Sequence, residues 1–139
     1  MPDINHLVRI SAKPAIVYNA LSTQEGLQGW WTPKVDFSEE TIDFHFEEGY
    51  HKTMKVAASR VEEHVEWYCT EGHPEWIGTS ITMDLDRSDG ATIVYFSHYN
   101  WLRCTEMFGQ CSYNWALFLR SLKNYCETGK GQPFPEQEK

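Results

Sequence analysis

The stretch CSYNWALFLRSLKNYCETGKG, Cys111 to Gly131, decides how the rest of the chain is read. Taken with Phe108 upstream, its apolar residues Cys111, Trp115, Leu119, Leu122 and Cys126 recur at spacings of three and four. That is one continuous apolar stripe. The spacing predicts a helix from about Thr105 to Thr128, with Gly129 as its stop. Such a helix is roughly 35 Å long at ~1.5 Å per residue, about the length of a ten-residue strand. One helix can therefore cover the width of a sheet. Its aromatic face needs a broad apolar surface to lie on.

That surface is written upstream in period two. INHLVRISA places Ile4, His6, Val8 and Ile10 on one face of a half-buried strand. Pro14 then suits the first turn of a helix, PAIVYNALS, where its missing N–H is not needed. Gly26 and Gly29 in TQEGLQGWW predict a second, short and poorly formed helix ending at Trp30-Trp31. TIDFHF aligns Ile42, Phe44 and Phe46. KTMKVAA aligns Met54 and Val56, and HVEWYC aligns Val65, Trp67 and Cys69. IGTSITMDL aligns Ile77, Ile81, Met83 and Leu85. ATIVYFSHYNW puts Val94, Phe96 and His98 on one face, with Ile93, Tyr95 and Tyr99 on the other. RSDG between the last two strands is a hairpin signal. The order is strand, two short helices, antiparallel strands, long helix. It predicts an α+β domain whose curved sheet buries one face under the C-terminal helix. Curvature leaves space between sheet and helix, a natural seat for a ligand. The domain is read as residues 1–131, and 132–139 as a tail with two prolines.

Composition narrows the function. The chain has 139 residues, 41% hydrophobic, with a formal net charge of −8. This length suits one domain with its own core. The acidic balance disfavours nucleic acid and anionic membrane surfaces, both of which select clustered Lys and Arg. No apolar run approaches the ~20 residues of a membrane span, and MPDINHLVRI lacks signal-peptide features. A cytoplasmic location is expected. Cys69, Cys104, Cys111 and Cys126 contain no CxxC pair and read as buried free thiols. Neither a phosphate-binding glycine loop nor metal-ligand spacing is present, so no cofactor and no metal are expected. His45 and His64 fall on the outer faces of their strands.

Three segments together, VRISAKPAIVYNALSTQEGLQGWWT, GATIVYFSHYNW and WALFLRSLKNYCETGKGQPFP, resemble the START-like, or SRPBCC, helix-grip superfamily. Within it they look most like the branch similar to the C-terminal domain of activators of the heat-shock protein 90 ATPase. The resemblance implies a seven-stranded antiparallel sheet gripping the C-terminal helix around a cavity. It also implies that the first and last strands pair, which would let His6 approach His98. The superfamily includes lipid carriers, hormone receptors and aromatic cyclases, so the fold alone does not select a chemistry.

The side chains expected to line the cavity are Trp31, Phe44, Met54, Trp67, Met83, Phe96, His98, Phe108, Cys111 and Trp115. A largely apolar guest, aromatic or acyl, is the first reading, with His98 as its polar contact. Trp30 is expected at the surface while Trp31 turns inward. The second reading is a protein-interaction module with a chaperone contact. The third is a cyclase- or dehydratase-type enzyme using His98 as acid or base. Cys111 reads as apolar filler rather than a reactive thiol. The outward Ile93, Tyr95 and Tyr99 predict either a homodimer contact or coverage by the tail through Phe134.

Overall fold

A computed structural model describes residues 2–47 and 49–138. The elements are β1 (Ile4–Ile10), α1 (Pro14–Ser22), α2 (Gln24–Trp30), β2 (Lys34–Phe37), β3 (Thr41–His45), β4 (His51–Arg60), β5 (His64–Glu71), β6 (Ser80–Ser88), β7 (Ala91–Tyr99) and α3 (Glu106–Thr128). A short 3-10 turn follows at Glu136–Glu138. Seven antiparallel strands form one sheet in the order β1-β7-β6-β5-β4-β3-β2. The first and last strands meet because β1 pairs with β7, Ile4 opposite His98 and Val8 opposite Val94. α3 lies across the concave face, and α1 and α2 fill the gap between β1 and β2. This is the helix-grip architecture that the resemblance implied.

Local chemistry explains the boundaries. The Thr105 hydroxyl caps α3 by accepting from the Phe108 N–H at 3.2 Å, and Gly129 ends it by donating to the Tyr125 carbonyl at 2.8 Å. The β6–β7 hairpin turns on Asp89 and Gly90, with φ of 45° and 79°. Positive φ at both central residues matches the right-handed twist of the flanking strands. Gly29 has a packing role: a Cβ there would run into the Tyr125 ring of α3. Gly29 thus lets α2 dock closely on α3.

Several boundaries differ from the sequence reading. The four-residue strand β2 is too short to show periodicity. Ile77 does not belong to β6. It sits in a turn where the N–H groups of Trp76 and Ile77 bond back to the His73 carbonyl, and its side chain is 50% exposed. Trp30 is not at the surface but fully buried, because its Nε1 donates to the Ala20 carbonyl at 2.8 Å. Cys104 precedes α3 and is exposed, unlike the expected buried thiol. Phe134 does not cover the outer face of β7. Its N–H donates to the Trp31 carbonyl at 2.7 Å and its ring packs edge-on against Phe46. The convex face therefore keeps Leu7 and its cross-strand partner Tyr95 exposed.

Candidate functional site

The concave face is a wall of rings. Phe44, Met54, Trp67, Met83, Phe96 and His98 point inward from five successive strands, and all are buried. α3 sets Cys111, Trp115 and Phe118 against them. Trp31, at the C-cap of α2, enters between the layers. Its ring lies 4.2 Å from Phe44, 5.0 Å from Trp115 and 5.9 Å from Trp67, centroid to centroid. Phe108 packs at the rim, 5.3 Å from Trp101. The ten expected lining residues pack against one another rather than around a guest-sized cavity between sheet and α3: among them only Trp31, Cys111 and Trp115 border the space that remains, a void of about 40 Å³. A single water needs roughly 10–15 Å³ of such space, so the void admits a few atoms.

His98 points inward as alternation predicts, and its hydrogen bonds define its state. Trp115 donates its indole N–H to His98 Nδ1 at 3.1 Å. Nε2 therefore carries the proton and donates to the Thr79 hydroxyl at 2.7 Å. Thr79 in turn donates to the Trp76 carbonyl at 2.6 Å. Every donor and acceptor in this chain is used. Burial, helped by the Lys52 charge, lowers the His98 pKa to about 3. The imidazole is neutral with neither nitrogen free, so it is not poised to exchange a proton with a guest. His6 turns to α3, its Nε2 3.1 Å from the Ser112 carbonyl oxygen, and its cross-strand partner is Phe96, not His98.

Sequence reasoning missed three contributors. Trp76, in the β5–β6 loop, packs edge-on at 4.5 Å from His98 and donates to Cys111 Sγ at 3.1 Å. Thr79 holds the His98 tautomer. Lys52, opposite Phe44 on β4, turns its ammonium over the Trp76 ring at 3.7 Å and the Phe46 ring at 4.6 Å. Period two places Lys52 on the same face as Met54 and Val56, so that signal was available. Burial lowers the Lys52 pKa to about 8. It also raises the Cys69 thiol to about 11 and pushes Cys111 up, which keeps both protonated at neutral pH and unreactive.

A larger space opens on the same concave side, between α1 and strands β2–β5. It measures about 470 Å³. Its floor is Ile42, Val56, Val65 and Trp67, and its rim carries Tyr18, Glu39 and Ser59. Stacked Trp31 and Trp67 stand between this recess and the interior void. On the outer face His64 pairs with Asp84 at 2.6 Å. His45 and His51 face each other across the β3–β4 hairpin; His45 Nε2 bonds to Asp36 at 3.0 Å, and His51 Nε2 lies 3.6 Å from the Glu71 carboxylate. No cluster of three or more metal-binding side chains occurs among the described residues. Nor, among them, is any helix long and apolar enough to cross a membrane.

A seven-stranded sheet curled around a C-terminal helix, with an aromatic interior and a lateral recess, defines a START-like, SRPBCC-type helix-grip domain. Residues 11–127 match the family described as Activator of Hsp90 ATPase homolog 1-like protein, and the chain belongs to that family. It is similar to the Aha1 dimer from Colwellia psychrerythraea, solved in solution, at 37% identity. That match covers 94% of this chain and 100% of the other, with a TM-score of 0.86. More distant likenesses show the fold alone. SSP2350 from Staphylococcus saprophyticus is 18% identical over 94% of this chain and 95% of its own, with a TM-score of 0.77. DynU16, from the dynemicin biosynthetic locus, is 17% identical over 93% of this chain and 48% of its own, also with a TM-score of 0.77. No curated protein matches the chain.

Proposed function

We propose that this chain binds a small, largely apolar molecule, aromatic or acyl, on the concave side of its sheet. The observation that carries the reading is the recess of about 470 Å³ between α1 and β2–β5. Ligand pockets of roughly 300–1,000 Å³, mostly apolar with a few polar groups, are the usual kind. Here the floor is apolar, and the Tyr18 and Ser59 hydroxyls, hydrogen-bonded to each other at the rim, give it one polar edge. The saturated, neutral His98 favours a binding role over proton-transfer chemistry. A cytoplasmic setting fits the four free cysteines. A fragment screen by thermal shift and ligand-observed NMR is the test. A guest with a dissociation constant near 1 μM, at 100-fold excess, stabilises by about 2.7 kcal/mol, several degrees in Tm. Ser59→Trp, at the exposed rim, is expected to abolish that shift while leaving the fold intact. Binding indifferent to the rim variant, or no ligand at all, would remove the reading.

A second reading is a protein-interaction module that self-associates. The 37% identical relative is described as a dimer and the family carries the name of an ATPase activator. The exposed pair Leu7 and Tyr95 on the convex face supplies an apolar contact. Light scattering at micromolar concentration is expected to give twice the 16.2 kDa chain mass, and Leu7→Glu to return it to one. A monomer in both cases, with no effect on chaperone ATPase rate, would count against it.

A further inference from the structure

We propose that the void between β4 and α3 is a second binding site, independent of the recess, that takes the carboxylate of a small organic acid on Lys52 and Asn114. Lys52 is the charged group that lines this space, together with Asn114, Cys111 and the rings of Trp31, Trp76, Trp115 and Phe118. Its ammonium is held by aromatic faces alone. Trp76 lies at 3.7 Å, Phe46 at 4.6 Å and Tyr50 at 5.6 Å. Among the described residues no carboxylate pairs with it, and none of its protons reaches a hydrogen-bond acceptor. The titratable groups beside it are the thiols of Cys69 and Cys111, the Tyr50 phenol and the neutral His98. The nearest carboxylate to act on this cluster is Glu75, which bears on Cys111 and turns to accept from the Thr105 hydroxyl rather than pairing with Lys52.

A cation partly withdrawn from water without a counter-charge carries a desolvation cost that an anion would offset. The residue is part-exposed and its ammonium keeps an edge to solvent, while burial of its surroundings lowers its pKa to about 8. It still carries charge at neutral pH. A second donor faces the same space. Asn114 Oδ1 accepts from Gln110 at 3.4 Å, which leaves its Nδ2 without a partner. The volume, about 40 Å³, suits a carboxylate rather than a whole ligand. The aromatic or acyl remainder would rest against Phe118 at the mouth. An anion here would gain a charge-assisted hydrogen bond from Lys52 and relieve its isolation.

The test titrates benzoate, hexanoate and the matched neutral amides into the full chain. Tryptophan indole N–H resonances report on the site. The acids are expected to bind at least tenfold tighter than their amides and to shift the Trp76 and Trp115 signals. Lys52→Met is expected to fold with a Tm at or above the parent, because it removes the lone cation, and to erase the preference for acid over amide. Asn114→Leu keeps the charge and is expected to reduce the preference partway. Acids and amides binding alike, acids binding equally to Lys52→Met, or no shift from either acid would each overturn the proposal. Loss of recess binding in Ser59→Trp should leave these titrations unchanged, so the two sites fail or stand separately.

Discussion

His98→Ala is expected to destabilise the fold by about 3–5 kcal/mol, much of the roughly 5–15 kcal/mol that holds a domain together. Two costs combine. Removal of the ring opens a hole among Trp76, Trp101 and Trp115, whose centroids lie 4.5, 4.8 and 6.1 Å away. It also strands the Trp115 indole N–H, which has His98 Nδ1 as its acceptor. A buried donor left without a partner costs about 1–3 kcal/mol by itself. Denaturant titration of the variant measures the sum. The pH dependence separates histidine chemistry from volume. Burial first, and the Lys52 charge second, lower the His98 pKa from 6.5 to about 3 in the folded chain. Between those values the unfolded chain holds a proton that the folded chain refuses. Stability is therefore fully present above pH 6.5 and is lost as the pH falls toward 3, by up to about 1.4 kcal/mol per pH unit. His98→Gln keeps polar atoms but does not titrate. The difference in stability between parent and His98→Gln is expected to shrink steadily from pH 6.5 downward. A difference that stays constant across that range would mean that His98 is protonated in the fold.

The same histidine shows how far the letters carry. Strand alternation placed it inward, beside Val94 and Phe96, because period two is fixed by the pleat and needs no tertiary information. The stripe of α3 and the Asp89-Gly90 turn were legible for the same local reason. The company His98 keeps was not. Thr79 and Trp76 reach it from an irregular loop, and loop positions have no period to read. Trp30 and Trp31 failed differently. Helical geometry separates adjacent side chains by about 100°, which suggested one inside and one outside. The chain leaves α2 at Trp31, and both rings lie within the angle between α1, α3 and the sheet. Lys52 was visible to the alternation rule all along. A lone charge favours solvent, and here the pleat of β4 outweighs that preference. Conflicts of this kind, between local rule and residue chemistry, fall preferentially where a protein has a use for the residue.

Trp31→Ala is expected to cost about 3–5 kcal/mol and to enlarge the void beneath α3. The ring stacks on Trp30 at 5.7 Å and on Trp67 at 5.9 Å, tilts onto Phe44 and Trp115, and meets Phe118 edge-on at 6.3 Å. Each aromatic pair adds about 0.5–1.5 kcal/mol beyond the area it buries, so the ring is central to the packing of the grip. The main chain should hold without it. The Trp31 carbonyl still receives the Phe134 N–H, and the N–H of Trp31 still reaches the Leu27 carbonyl. A hole with intact walls is the expected result, bounded by Trp67 on the recess side and by Trp76 and Trp115 on the other. Such an apolar hole stays dry and binds a matching apolar molecule. With the recess closed by Ser59→Trp, millimolar indole should therefore raise the Tm of the Trp31→Ala double variant by several degrees and leave Ser59→Trp alone nearly unmoved. Calorimetry with and without indole reads this directly. If the variant gains nothing, the walls have collapsed inward, and the separation of recess from void rests on the whole aromatic layer rather than on this one ring.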